Sequence, residues 1–169
     1  MSITVAILGA ASPMGQALAR RLVSGSCSLR LYDQDVASTE QLVSKLKRLA
    51  PLADVEAMTC SATASWEADL ALLAMPLAAQ AATARQIAPF LTQKTVWSVA
   101  TPVHAASDDG ATAPAVLEEL QRLLPHSNIH PLADTVVHEG SQPSPAKDAA
   151  GLLELLLRND APFGSKRPS

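Results

Sequence analysis

Aromatic side chains are nearly missing from this sequence: two Trp, two Phe and one Tyr make up 3% of its 169 residues. Any core must therefore be packed from alanine and leucine. Cysteine is equally scarce. Cys27 and Cys60 stand far apart and outside any Cys-x-x-Cys pair, which excludes a disulfide-stapled mini-domain and a cysteine metal knuckle. The expectation is buried or free thiols in a reducing cytosol, and hence a cytoplasmic protein. There is no surplus of positive charge, the formal net charge being −3. No nucleic-acid partner is expected, because neutralising phosphates takes a basic face. Apolar runs are short and interrupted, none reaching the roughly 20 residues of a spanning helix, so no membrane role is expected. Met1-Ser2-Ile3-Thr4-Val5 has no basic stretch ahead of its apolar residues and reads as the approach to a first strand, not a signal peptide.

With 48% hydrophobic residues the chain is no disordered polymer, and its length suits one domain. Ile3 to Leu8 is apolar on both faces, as a central parallel strand covered by helices requires. Pro13 to Val23 reads as a helix with Met14, Ala17, Leu18 and Leu22 on one face, Pro13 at its first position and Gly25 as its stop. A second strand, Leu29 to Tyr32, ends at Asp33. A helix over Thr39 to Leu49 turns Leu42, Leu46 and Leu49 inward and is ended by Pro51. A strand at Val55 to Met58 is followed by a polar link through Ser61 to Ser65. Leu70 to Met75 is another doubly buried strand cut by Pro76, and an alanine-rich helix spans Ala78 to Ala88. Thr95 to Val99 is a strand ended by Pro102. Ala113 to Leu124 reads as a helix, Asn128 to His130 as a short strand, and Ala149 to Leu157 as a last helix before a frayed tail. This order predicts an α/β fold: a single-domain, doubly wound, mostly parallel Rossmann-like sheet. The domain is expected over residues 1–140, with 141–169 a linker, short helix and tail.

The segment Gly9-Ala10-Ala11-Ser12-Pro13-Met14-Gly15 lies between the first strand and first helix. There, unpaired amide hydrogens and a partial positive charge suit a diphosphate. Gly9 permits the tight turn and Gly15 a close approach of the helix to the sheet. Against Gly-x-x-Gly-x-x-Gly, Ser12 replaces the middle glycine, and its hydroxyl is a candidate donor to phosphate. Gly9, Ala11, Ser12, Pro13, Met14 and Gly15 are thus candidate cofactor-binding residues. Asp33, 18 residues past Gly15 at the end of the second strand, suits the hydroxyls of an adenosine ribose and repels a 2′-phosphate. The expected cofactor is NAD or NADP, with NAD favoured by Asp33; Asp35 suits a helix cap better. Met75 and Pro76 form a low wall beside the adenosine half, and Thr101 borders the nicotinamide.

With these segments in view, the chain resembles the NAD(P)-binding domain of the deazaflavin-dependent NADP reductase family and its prephenate dehydrogenase-like relatives. The resemblance is carried by VAILGAASPMGQALARRL, ADLALLAMP and VWSVATPV, and more loosely by LEELQRLLPHSNIHPLADTV, over roughly residues 3 to 137. It implies hydride transfer between a nicotinamide and a second small-molecule substrate, a deazaflavin being one candidate. Ala11, Ser12, Pro13 and Met14 fall where the family places the backbone donors that hold the diphosphate, Pro13 itself having no N–H to give. Asp33 departs from the serine and arginine of NADP-preferring members. Many relatives also continue into a helical substrate or dimerisation part; since one domain alone buries little of a second substrate, a homodimer is the expected assembly.

No acid–base residue stands out. His104 is a catalytic candidate near the nicotinamide, although a loop histidine in water is the simpler reading, and His138 reads as an exposed turn. His126 and His130 are flanked by Pro125 and Pro131, which removes a shared helical face, and no metal site is expected. Two alternatives stay open. One is a non-catalytic nucleotide-binding or partner-binding module. The other is a methyltransferase, disfavoured by Ile7-Leu8 where an acid is usual.

Overall fold

A computed structural model describes residues 3–25, 27–100 and 113–133. Six strands, β1 (Ile3–Leu8), β2 (Cys27–Tyr32), β3 (Val55–Met58), β4 (Leu70–Leu73), β5 (Thr95–Ala100) and β6 (Asn128–Ala133), alternate with five helices. These are α1 (Pro13–Leu22), α2 (Val36–Leu49), α3 (Ser61–Glu67), α4 (Leu77–Ile87) and α5 (Ala113–Leu123). The strands form one sheet in the order β3-β2-β1-β4-β5-β6, and every pairing is parallel. The chain thus runs outward from β1 to β3, crosses back and runs outward again from β4 to β6. The order reverses between β1 and β4, and open α/β sheets hold ligands at such a reversal, beyond the carboxyl ends of the strands.

Period-two alternation divides each buried strand between two cores. Val5, Ile7, Leu29, Leu31, Leu72, Trp97 and Val99 face one side, where Met14, Leu18 and Leu22 of α1 and Leu42 and Leu46 of α2 cover them. Ala6, Leu8, Ala71, Leu73 and Val96 face the other, under Ala64 of α3, Leu77, Ala84 and Ile87 of α4, and Val116 and Leu120 of α5. Trp97 is the one ring among the largest fully buried side chains, so aliphatics do the packing, as the composition requires.

The structure corrects several sequence expectations. Ser61 to Ser65 is not a polar link but most of α3. The last carbonyls of that helix, Ser65 O and Trp66 O, accept from Lys94 Nζ at 2.8 Å each, a support from β5's side of the sheet that local sequence does not contain. Helix α2 begins at Val36, not Thr39, because Asp35 caps it, accepting from Ser38 N at 3.1 Å. Leu49 does not turn inward; it is 67% exposed, at the last helical residue where the apolar face has already rotated off the sheet. Strand β4 stops at Leu73, two residues short of Met75, and β6 runs three residues past His130 to Ala133. The helix expected at Ala149 to Leu157 and the domain boundary at residue 140 lie outside the described residues. No helix among the described residues is long and apolar enough to cross a membrane.

Candidate cofactor site

Gly9 leaves β1 with φ +84°, a left-handed conformation that costs an L-residue about 1–2 kcal/mol and glycine almost nothing. The turn hooks onto β2: the N–H groups of Gly9 and Ala10 both donate to Tyr32 O, at 2.9 and 3.0 Å. It also presses against the end of β4, since a Cβ on Gly9 would stand 2.7 Å from Met75 N. Gly15 meets the turn from the helix side. A Cβ there would lie 2.3 Å from Gly9 O and 2.7 Å from Ala10 Cα. What Gly15 permits is therefore close contact of α1 with the glycine turn itself.

Ser12 is the N-cap of α1, its Oγ accepting from Gly15 N at 3.0 Å, and Pro13 occupies the first helical position, where a missing N–H costs nothing. The Ser12 hydroxyl also lies 2.7 Å from Gly9 O and 2.9 Å from Ala74 O. A hydroxyl has one hydrogen, so either donation commits it to a backbone carbonyl and not to a ligand. Met14 turns its side chain into the core, 3% exposed, while its N–H at the helix start has no partner among the described residues.

Asp33 faces this turn. One carboxylate oxygen accepts from Ala11 N at 3.1 Å and the other from Asp35 N at 3.0 Å. The acid at the end of β2 and the glycine turn after β1 are thereby joined in one site. Between them and the end of β4 opens a cleft of about 260 Å³. Of the residues expected from sequence, Gly9, Ser12, Asp33, Met75 and Pro76 line it. Ala11 in the turn and Pro13, Met14 and Gly15 at the start of α1 are not among the lining residues. Thr101 and His104 lie outside the described residues, as does His138. Tyr32, Gln34, Ala79, Thr83 and Gln86 also line the cleft and were not foreseen. Ala79, Thr83 and Gln86 follow one another at helical spacing on α4, so one face of that helix was the legible signal. Asp33 is the only charged side chain among the described lining residues.

A larger hollow, about 540 Å³, lies at the far edge of the sheet between α5 and β6, among Leu117, Gln121, Ile129 and His130. It holds neither the glycine turn nor Asp33. His126, exposed, and His130, buried on β6, share no helix.

Comparison with solved structures agrees on the architecture. Prephenate dehydrogenase from A. aeolicus, solved with hydroxyphenyl propionate and NAD+, matches 96% of this chain and 59% of its own at 18% identity and a TM-score of 0.56. A putative F420-dependent NADP-reductase from Arthrobacter sp. FB24 matches 77% of this chain and 61% of its own at 19% identity, with a TM-score of 0.58. A short-chain dehydrogenase from Rhodopseudomonas palustris matches 95% of both chains at 15% identity and a TM-score of 0.58. At such identities the likeness is one of fold, and this chain spans about three fifths of the length of the first two. No curated protein matches by sequence. The profile of one family of NAD(P)-dependent oxidoreductases does match, over residues 4–102, more than half of the chain and the whole of the glycine turn, Asp33 and β4. By that match the chain belongs to the family described as NADP oxidoreductase, coenzyme F420-dependent.

Proposed function

We propose that the chain binds a nicotinamide adenine dinucleotide along the carboxyl edge of its sheet, prefers NAD to NADP, and serves as the cofactor half of a hydride-transferring oxidoreductase. One observation carries the reading: the glycine turn, closed to any Cβ at Gly9 and Gly15, is joined by a hydrogen bond from Ala11 N to the Asp33 carboxylate beside an open cleft. The residues fit the group. Met14 N–H, and Ala11 N–H once Asp33 releases it, are donors for the diphosphate at the positive end of α1. Asp33 is placed to accept from ribose hydroxyls, and no cation in the described lining balances a 2′-phosphate. Met75, Pro76 and Ala79 give the adenosine half an apolar wall, and Thr101, on its sequence position after β5, is assigned to the nicotinamide half. When bound, the cofactor supplies or takes a hydride at its nicotinamide ring. The family's name points to a deazaflavin as the hydride partner, and a homodimer, whose second copy would cover that partner, is the assembly that goes with this reading.

Fluorescence and thermal-shift titration with NADH and NADPH test the reading. Saturable binding with NADH ahead is expected; no response to either at millimolar concentration refutes it. A second reading, binding without turnover, draws on one feature: Gly9, Ala10, Ser12 and Gly15 already spend their N–H groups inside the protein, leaving few donors. NADH binding with no oxidation by deazaflavins or small carbonyls would select it.

A further inference from the structure

Gln80 is a polar residue with no access to solvent, 0% exposed, in the first turn of α4. A buried amide is costly unless its hydrogen bonds are met, and here they are met at one particular place. Its Nε2 donates to Met75 O and Val99 O at 3.1 Å each, with Leu73 O at 3.4 Å. Its Oε1 accepts from Ser98 Oγ at 2.5 Å. Three backbone carbonyls surround one end, and carbonyls only accept, so the NH₂ group must be that end. The ladder between β4 and β5 stops at Leu73 and Ser98. Gln80 bridges the residues that follow, tying Met75 on the cleft wall to Val99 on β5. From the other side the Ser12 hydroxyl reaches Ala74 O. Two successive peptide units are thus held, Ala74–Met75 by the N-cap of α1 and Met75–Pro76 by the first turn of α4. A chain of polar contacts runs from the glycine turn, across the end of β4, to the end of β5.

We infer that Gln80 is a positioning residue: it fixes the end of β5 against the Met75 wall and so sets where the nicotinamide half of the cofactor lies relative to the diphosphate. The inference rests on the dinucleotide reading above. Gln80 does not line the cleft and acts through Met75 and Val99. Without its polar groups the Met75 wall stays anchored to β1 and α1 through Ala74, which donates to Leu8 O and accepts from Ser12, so the adenosine half should stay intact. The tie from Val99 to that wall is lost, so the half beyond β4 should be disturbed.

The test compares ADP-ribose, which carries only the adenosine half and a second ribose, with NADH. Both are titrated into the full chain and into Gln80→Met, which keeps the length of the side chain and loses every hydrogen bond. A Trp66→Phe background leaves Trp97, next to Ser98, as the single donor for energy transfer to the reduced nicotinamide. For Gln80→Met, ADP-ribose affinity should stay within about twofold. NADH should weaken about tenfold, the worth of one net hydrogen bond, with energy transfer from Trp97 reduced. Equal losses for both probes would reveal a merely structural residue and overturn the inference; so would unchanged NADH binding and energy transfer. If Gln80→Met fails to fold cooperatively, Ser98→Ala decides, with the same selective loss at a smaller factor expected and a parallel or absent loss overturning the inference. A parent chain that binds neither probe refutes the dinucleotide reading and this inference with it, whereas a parallel loss in the variants refutes the inference alone.

Discussion

Replacing Gly15 by alanine puts the packing of the glycine turn to a quantitative test. Gly15 sits inside α1, where alanine ordinarily stabilises a helix by about 1 kcal/mol over glycine. Here the added methyl carbon would stand 2.3 Å from Gly9 O and 2.9 Å from Ala10 C. Those are backbone atoms, and no flexible side-chain end is available to swing aside. Relief requires α1 to lift off the turn by about an ångström, against the core contacts of Met14, Leu18 and Leu22. Overpacking of this kind costs up to about 3 kcal/mol, so the net loss should be about 2 kcal/mol. For a chain of this length that corresponds to a fall in Tm of roughly 4–8 °C. Gly9→Ala adds the cost of an L-residue at φ +84° to a contact of 2.7 Å with Met75 N and should lose about 3–4 kcal/mol. Chemical denaturation followed by circular dichroism measures both, and NADH titration of the folded fraction should show affinity at least tenfold weaker, since the turn is the wall that moves. A Gly15→Ala protein as stable as its parent would refute the close contact on which the site's geometry depends.

Four further outcomes are expected. Asp33→Ser combined with Gln34→Arg removes the carboxylate and supplies a cation, so the ratio of NADPH to NADH affinity should rise at least tenfold in paired titrations; an unchanged ratio would take Asp33 away from the ribose. The two thiols should separate cleanly towards a disulfide reagent at pH 8, one equivalent reacting in the folded chain and two in denaturant. Burial pushes the Cys27 thiol up to about 11, whereas bonds from the Thr63 and Ala62 backbone hold the exposed Cys60 below its usual range. Because Cys27 is raised in the folded state, its contribution to stability is complete below about pH 9 and is lost as pH climbs towards 11; Cys27→Ala should flatten the alkaline denaturation curve in that window. Arg30, its side chain 14% exposed, bonds Glu67 at 2.8 Å and Asp54 at 3.1 Å. Asp54 is held below the ordinary carboxylate range by the Arg30 hydrogen bond first and Ser28 second. Both acids are well exposed, so Arg30→Met should cost only about 1 kcal/mol at neutral pH, a difference that shrinks as acid protonates Asp54, measurable by urea melts at several pH values.

Much of this fold could be read from local pattern. The apolar runs from Ile3 to Leu8 and from Leu70 to Met75 and the periodic leucines of α1 and α2 announce their elements without help, if not the end of β4 at Leu73, because a doubly buried strand and an amphipathic helix each need a pattern that few other structures tolerate. Gly9 and Gly15 were legible for the same reason, as a turn and a tight contact leave no room for other residues. Asp33 was legible from its distance to the turn. Other parts depended on partners distant in the chain. Helix α3 is held at its end by Lys94, about 28 residues later. Tyr32, Gln34 and the α4 face enter the cleft only because β2 and β4 flank β1.

The linear order of residues was enough to decide a parallel α/β sheet with a tight glycine turn after its first strand, because burial and backbone strain leave local marks. Tertiary structure alone decided where the polar side chains spend their hydrogen bonds. Ser12 commits its hydroxyl to backbone carbonyls, Asp33 holds Ala11 N, and Gln80 bridges two strand ends. Each such bond joins groups brought together by the winding of the sheet, and hydrogen bonding acts at about 3 Å through space whatever the separation along the chain.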